Sequence, residues 1–193
     1  MTRTLRILAF VLLLAAPGYA QTIPGWEVFG GYSWQRSKLR EYFKSTPIIY
    51  SVRNKIGNLN GFDAAFTENL NRWFGGTFDI SGHFATPEIS GVETHERMYT
   101  VMYGPRFAYH ERPGWTPFAH VLAGVAHMEA KVTPTGPHLS DTSFALAAGV
   151  GLDVKAGSKT AIRVLQAEYL HANALGTSQH NFRLAAGVIL YLR

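Results

Sequence analysis

The chain has 193 residues, no cysteine, and 18 basic against 13 acidic residues, so its formal net charge is +5 with neutral histidines. This length suits one domain. The lack of cysteine excludes a disulfide framework and any zinc site built from thiolates, and the basic residues form no stripe of the kind that binds nucleic acid.

The N-terminus has the pattern of a secretory signal peptide. Arg3 and Arg6 precede ten apolar residues, Ile7–Ala16, and small residues follow up to Ala20. A basic segment, a short apolar segment and small residues before a cleavage point are the parts of such a signal. Ten apolar residues are too few for a membrane-spanning helix, which takes roughly 20. We predict a cleaved signal peptide over residues 1–20 and one exported domain over residues 21–193.

Eight segments of the exported part alternate with a period of two residues, the pattern of β-strands. In most of these segments, large apolar residues hold one parity, whereas small, hydroxyl or charged residues hold most of the other. The predicted strands are Trp26–Arg36, Phe62–Thr67, Phe74–Phe84, Tyr99–Tyr109, Pro117–Glu129, Phe144–Val154, Thr160–His171 and Asn181–Leu192.

The clearest alternation, in Phe144–Val154, shows which parity faces inward. Leu146 and Val150 hold one parity, and Gly149 and Asp153 hold the other. In a soluble barrel the large apolar side chains point inward, whereas here the inward candidates are small or charged. The apolar parity therefore faces lipid, as in a transmembrane barrel. The facing of the Pro117–Glu129 strand stays open, because its two parities differ little.

The connections between the predicted strands alternate in length. Ser37–Asn58, Ala85–Arg97 and Lys131–Thr142 are long, Ala172–Gln179 is of medium length, and tight turns separate them. Outer-membrane barrels combine an even strand number with short periplasmic turns and longer outer loops. We predict an all-β fold, an eight-stranded antiparallel up-and-down transmembrane β-barrel, with both mature termini in the periplasm.

Seven short phrases carry a family resemblance that spans nearly the whole exported chain. They are Val28–Tyr32, Arg72–Gly75, Gly104–Phe107, Phe118–Gly124, Gly149–Asp153, Arg163–His171 and Leu184–Val188. In this order they resemble the small OmpA-like eight-stranded outer-membrane barrels, especially the single-domain barrels common in acidobacteria. The resemblance implies an outer-membrane location, insertion by the barrel assembly machinery, and a C-terminal assembly signal at Gly187, Leu190 and Leu192. The chain departs from the family pattern at Arg193, where an aromatic residue is usual.

The predicted lumen is filled by side chains and charged. An eight-stranded barrel encloses just enough room for its own side chains, so no open pore is expected. Charges inside it are costly unless they are paired. Arg106 and Asp153 have matching depths, and we expect them to pair, with Glu27 or Asp79 nearby; solvated rim charges are the alternative. The predicted lumenal ion cluster is Glu27, Asp63, Asp79, Arg106, Asp153 and Arg183.

Two further charged residues, Arg163 and Glu168, leave their facing open. They lie on the same predicted strand with opposite parity. One of them therefore faces outward unless a β-bulge lies between them. An outward Arg163 near the turn would snorkel to the interface.

No residue pattern predicts catalysis, a cofactor or a metal site. His171–Ala174 resembles part of a lipid A deacylase motif, but the motif's serine is missing and no serine alternates beside His171. A Ser–His mechanism needs the two side chains within hydrogen-bond reach. His83 and His120 lie on separate strands, and hydrogen-bonded buried histidines are far commoner than metal ligands.

The leading hypothesis is a structural, non-catalytic, monomeric barrel whose outer loops contact lipopolysaccharide, outer-membrane lipids or other cells, with minor ion passage as a sub-case. The basic residues of the first long connection are candidates for contact with lipid phosphates. The alternatives are an outer-membrane enzyme that modifies lipid and a secreted soluble barrel that carries an apolar ligand. The basic residues are Lys38, Arg40, Lys44, Arg53 and Lys55.

Overall fold

The structure, a computed structural model, describes residues 24–46, 49–86, 88–89, 92–110, 114–133, 138–174 and 177–192. The predicted signal peptide lies outside these ranges. Within them, no helix is long and apolar enough to cross a membrane. The strands of the described ranges are β1 (Trp26–Thr46), β2 (Ile49–Asn69), β3 (Phe74–Ala85), β4 (Glu88–Ile89), β5 (Val92–Ala108), β6 (Trp115–Thr133), β7 (His138–Lys155), β8 (Thr160–Ala174) and β9 (Thr177–Leu192).

The strands form one antiparallel sheet that closes on itself. Consecutive long strands pair with each other, the two-residue β4 pairs with β5, and β3 pairs directly with β5. Closure comes from β1 and β9, which pair from Trp26 and Leu192 up to Arg36 and Phe182. The predicted fold class, a closed eight-stranded up-and-down barrel, is confirmed, because β4 is only a short addition at one end.

The apolar parity faces outward, as predicted. Phe78, Val150 and Leu190 are 40 %, 59 % and 49 % exposed, whereas Asp79 and Asp153 are 1 % and 3 % exposed. A soluble carrier would bury the first three and expose the last two. The soluble ligand-carrying barrel is therefore contradicted.

The strand whose facing stayed open, now part of β6, follows the same rule. Val121 and Val125 are exposed, whereas Leu122 and Ala126 are fully buried in the lumen. Its two parities differ little in the sequence because both consist mainly of apolar residues. In the lumen, Leu122 belongs to one buried apolar group with Met102 of β5 and Ala147 of β7.

The predicted long connections are largely wrong, because they are mostly strand. Within Ser37–Asn58 only residues 47–48 lie outside the paired strands, and β1 and β2 stay paired from Ser37 and Gly57 to Thr46 and Ile49. Likewise, β6 runs to Thr133, β7 begins at His138, and the last hairpin lacks strand only at residues 175–176. A two-stranded ladder satisfies its own backbone groups. A ladder beyond the bilayer needs no apolar face, so the alternation pattern in the sequence does not reveal it.

The two ends of the barrel differ. The long hairpins extend from one end. The connections from β2 to β3, from β5 to β6 and from β7 to β8 lie at the other end, with the start of β1 and the end of β9. In the first turn, Asn71 Oδ1 accepts hydrogen bonds from the backbone N–H groups of Trp73 and Phe74 at 3.0 and 2.8 Å. Gly114 has a φ of 98°, which glycine adopts without strain.

We predict that a charge on the outer surface destabilises the fold according to its depth. Val150→Arg, near the middle of the outward apolar run Phe144–Val154 of β7, is expected to cost about 2–4 kcal/mol, whereas Val154→Arg, one residue from the end of β7, is expected to cost about 0–1 kcal/mol. The measurement is the free energy of unfolding by denaturant in lipid vesicles. Equal losses for the two variants would contradict a lipid-facing band.

Candidate functional site

The six charged residues predicted for the lumen all lie inside the barrel. Their exposed fractions are 1–4 %, and each comes from a different strand. The structure distributes them over two clusters, one near the short turns and one deeper in the lumen. We call them the turn-side cluster, built around Arg106, and the central cluster, built around Arg183.

Arg106 holds the turn-side cluster together by contacting two carboxylates. Its Nη1 donates to Glu27 Oε2 and its Nη2 donates to Asp153 Oδ2, both at 2.7 Å. Arg163 donates from Nε to Asp153 Oδ1 at 2.8 Å and from Nη2 to Oδ2 at 3.1 Å. Asp153 therefore lies between two guanidinium groups. Of the two carboxylates expected near Arg106, Glu27 is at this cluster and Asp79 is not.

Aromatic rings cover the guanidinium groups of this cluster. The Phe118 ring centroid lies 4.4 Å from Arg106 Cζ and 4.3 Å from Arg163 Cζ, and the Phe29 centroid lies 4.2 Å from Arg163 Cζ. Such cation–π contacts are strongest where water is excluded. Phe29, the one large apolar residue on the inward parity of the first predicted strand, thus has a polar partner inside the barrel.

Arg183 holds the central cluster together. It donates from Nη2 to Asp79 Oδ1 at 3.1 Å, from Nη1 to Ser81 Oγ at 2.6 Å, and from Nε to Glu168 Oε2. Its Nη2 also lies 4.0 Å from Asp63 Oδ2. One buried arginine thereby faces three carboxylates and a hydroxyl from three other strands, β2, β3 and β8.

His120 and Gly149 complete the central cluster at Glu168. His120 Nε2 lies 2.5 Å from Glu168 Oε1, and both side chains are buried. A Cβ at position 149 would meet the Glu168 side chain and would lie 2.6 Å from His120 Nε2. Gly149 is therefore required for the close approach of histidine and carboxylate.

Gln166 joins the two clusters into one network. Its Oε1 accepts a hydrogen bond from Arg163 Nη1 at 2.6 Å, and its Nε2 donates to Asp63 Oδ2 at 3.1 Å. All eight long strands now contribute to one lumenal network of hydrogen bonds and close charged contacts. Its members are Glu27, Asp63, Asp79, Ser81, Arg106, His120, Asp153, Arg163, Gln166, Glu168 and Arg183.

Arg163 and Glu168 face the lumen together because β8 contains a bulge. The register of β8 against β9 shifts between Arg163 and Gln166, and the consecutive residues Val164 and Leu165 are both exposed. The condition under which both residues face inward, a β-bulge between them, is therefore met. The alternative of an outward, snorkelling Arg163 is wrong. The only sequence signal was the opposite parity of two charges on one strand, which indicates that a bulge is needed without locating it.

The histidines considered as metal ligands have separate partners. His83 Nε2 lies 2.8 Å from Ser33 Oγ, whereas His120 contacts Glu168. Above the network, Met98, Leu122 and Leu170 belong to one buried apolar group. Buried polar residues lie beside this group, and Gln35 Nε2 donates to Met98 Sδ at 3.0 Å. In the described residues, no group of three or more histidine, aspartate or glutamate side chains is arranged to hold a metal ion.

The residues of the predicted assembly signal lie on β9. Leu190 and Leu192 are 49 % and 45 % exposed on the outer surface. Gly187 pairs with Gly31 of β1 at the seam that closes the barrel, where a Cβ would collide with the backbone of β1. Recognition by the assembly machinery stays a prediction, and Arg193 lies outside the described residues.

Comparisons with known proteins agree with this architecture. The family model of the outer membrane protein beta-barrel domain matches residues 7–189. A search of curated protein sequences finds no significant match.

Three solved structures resemble the chain at identities that show the fold alone. Ail, the attachment invasion locus protein of Yersinia pestis, solved with the heparin analogue sucrose octasulfate, is 20 % identical with a TM-score of 0.58, covering 87 % of this chain and 100 % of Ail. Neisserial surface protein A is 12 % identical with a TM-score of 0.66, at coverages of 87 % and 97 %. OprG of Pseudomonas aeruginosa is 11 % identical with a TM-score of 0.55, at coverages of 86 % and 94 %.

We predict that Arg106→Ala destabilises the barrel by about 3–5 kcal/mol, because it leaves Glu27 without its guanidinium partner and Asp153 with only one. The measurement is the free energy of unfolding in detergent, together with the temperature at which the folded form loses its characteristic electrophoretic mobility. Lys159→Ala, in an exposed turn, is the control and is expected to change neither value. Unchanged heat resistance of Arg106→Ala would show that the turn-side cluster does not stabilise the barrel.

Proposed function

Because the chain belongs to the outer membrane protein β-barrel family, we propose that it is a structural, non-catalytic barrel of the outer membrane. In this proposal its lumen is closed by side chains and its outer hairpins contact lipopolysaccharide. The observation that carries the proposal is the lumenal network, because it joins all eight long strands across the interior. A barrel braced in this way is suited to stability rather than to transport.

The composition of the network supports a closed lumen. It contains five carboxylates and three guanidinium groups, each with a charged partner. Removing such groups from water is costly, and their mutual contacts offset that cost only with good geometry. An ion entering the lumen would have to break these contacts. We therefore do not include ion passage in the proposed function.

The difference between the two ends of the barrel supports an orientation of the barrel in the membrane. In this family of folds, short turns face the periplasm and longer connections face outward. We propose that both ends of the mature chain lie in the periplasm after removal of the signal peptide, and that the assembly machinery inserts the barrel as a monomer. The hairpin formed by residues 37–58 then extends from the cell, with its paired backbone continuing the barrel wall.

The register of this hairpin supports contact with lipid phosphates. Lys38 and Arg40 have the parity of Tyr32, which faces outward lower on β1. Arg53 and Lys55 pair with Glu41 and Leu39 of β1 and so hold the opposite parity at similar heights. Basic residues at an anionic membrane surface contribute about 1 kcal/mol each. We therefore expect Lys38 and Arg40, which share the strand parity of Tyr32, to be the residues that contact lipopolysaccharide.

Lipid hydrolysis remains the second candidate class because a serine does lie near a histidine. Ser178 Oγ lies 3.5 Å from His180 Nε2, and His180 stands opposite His171 on β9. The serine absent beside His171 in the sequence is thus supplied by the neighbouring strand. However, 3.5 Å is the outer limit of a hydrogen bond. The group at His180 Nδ1 is the Tyr169 hydroxyl rather than the carboxylate that usually orients a catalytic histidine.

We predict that the double variant Lys38→Ala/Arg40→Ala binds lipopolysaccharide roughly 30-fold more weakly than the unchanged protein, at about 1 kcal/mol for each charge removed. The matched control is Arg53→Ala/Lys55→Ala, which also removes one lysine and one arginine and is expected to have a much smaller effect. The measurement is binding to immobilised lipopolysaccharide at fixed salt. Equal losses would indicate a non-specific charge effect, and no loss in either variant would contradict the proposed contact.

We also predict that lipid A from cells with and without the gene has the same mass, because the barrel carries no complete hydrolytic triad in its described residues. Mass spectrometry of purified lipid A is the measurement. Loss of an acyl chain that depends on the gene and disappears in Ser178→Ala would replace the structural assignment with the enzymatic one.

A further inference from the structure

Two histidines stand side by side on the outer surface of the last hairpin. His171 of β8 and His180 of β9 are direct cross-strand partners, and their ring centroids are 5.0 Å apart with an interplanar angle of 45°. His180 is exposed and His171 is half-buried. They lie outside the lumen, and neither is a member of the network described above.

The spacing of the rings fits the sharing of one metal ion. Metal–nitrogen bonds to imidazole are about 2.0–2.1 Å, and a ring nitrogen lies about 1.2 Å from its centroid. Two rings bound to one ion therefore have centroids about 4.6 Å apart at a right angle between the bonds and about 5.3 Å apart at the tetrahedral angle. The observed separation falls between these values without any change in the backbone.

The surroundings of His180 orient one nitrogen for such an ion. The Tyr169 hydroxyl contacts Nδ1 of His180. When Nδ1 donates its N–H to the tyrosine oxygen, Nε2 keeps the lone pair that binds a metal, the usual arrangement around metal-bound histidines. The remaining nitrogen, Nε2, lies 3.5 Å from Ser178 Oγ, so the hydroxyl is placed to contact a water molecule on the ion. Tyr169 and Ser178 are positioning residues in this arrangement.

His171 differs from His180 in the hydrogen bonding of its ring nitrogens. Neither of its ring nitrogens hydrogen-bonds to another residue in the part of the chain that the structure describes, and its ring contact is with His180. A histidine of the lumen, by contrast, has a polar partner, as His83 has in Ser33 and His120 in Glu168. His171 therefore keeps its lone pair available beside the oriented Nε2 of its neighbour.

We propose that His171 and His180 bind one divalent ion of the borderline class that imidazole favours, Zn²⁺, Ni²⁺ or Cu²⁺, with water in the remaining positions. The site lies near the outer end of the barrel, because His171 is three residues before the end of β8 and His180 is three residues after the start of β9. Below it on the same outer surface, Tyr169 and Phe182 are exposed aromatic partners, typical of the interfacial girdle. The ion would therefore be held at the level of the lipid headgroups.

The sequence carries no local signal for this site, because the chain has no HxH or HExxH pattern. The two histidines are separated by the last hairpin and meet only through its register. A site with two protein ligands leaves most of the coordination shell open, so we expect reversible binding rather than a permanently held structural ion.

The test uses the full mature protein, folded in detergent micelles, with Zn²⁺ followed by calorimetry and Cu²⁺ followed by electron paramagnetic resonance. His171→Ala and His180→Ala are each expected to weaken Zn²⁺ binding more than tenfold, because the loss of an outer-shell partner alone costs about 10–100-fold. Tyr169→Phe is expected to weaken binding about tenfold and to retain the Cu²⁺ signal of two coordinated nitrogens.

The control is His138→Ala, which removes another exposed histidine at the outer end of the barrel and is expected to leave affinity and spectrum unchanged. Heat-dependent electrophoretic mobility verifies that each variant is folded, and His171→Asn and His180→Asn replace any alanine variant that is not. A spectrum with fewer than two coordinated nitrogens would overturn the proposal. It would also be overturned if the His171→Ala/His180→Ala double variant bound Zn²⁺ as well as the unchanged protein, or if His138→Ala lost as much affinity as the other variants.

Discussion

The structure depends on one constraint, that backbone N–H and C=O groups in lipid must find partners within the protein. A sheet meets this constraint only when it has no free edge. Here the pairing of β1 with β9, from Trp26 and Leu192 to Arg36 and Phe182, supplies the last set of partners. At the centre of this seam Gly31 and Gly187 stand opposite each other. A Cβ on either residue would collide with backbone atoms of the other strand.

Closure with the apolar side outward leaves the interior to be filled by polar residues. A small barrel has no room for bulk water, so charges inside it require partners from the protein itself. Arg106 and Arg183 meet this requirement by reaching carboxylates on other strands, including Glu27 on the first strand and Asp79 on the third. The interactions that satisfy the buried charges are therefore the same interactions that brace the wall.

The bulge in β8 affects both the lumenal network and the outer surface of the barrel. By exposing both Val164 and Leu165, it turns Arg163 and Glu168 to the same side and supplies the two clusters with one member each. A regular strand would have sent one of these charges into lipid. Beyond the bulge, the outward parity continues through Tyr169 to His171, where the strand leaves the apolar girdle and the surface changes from lipid-facing to polar.

The sequence by itself determined the strand alternation, the outward parity and the closed barrel, because a period of two with small or charged residues inward has one solution in a bilayer. It also identified the inward charges, since Glu27 and Arg106 each stand alone against apolar neighbours of the other parity. The tertiary structure alone decided which charges meet, because Asp79 faces Arg183 rather than Arg106 through the stagger of the strands around the barrel. It also decided the position of the bulge, the length of the outer hairpins and the meeting of His171 with His180. These depend on register between strands, and register is set by contacts that no local pattern contains.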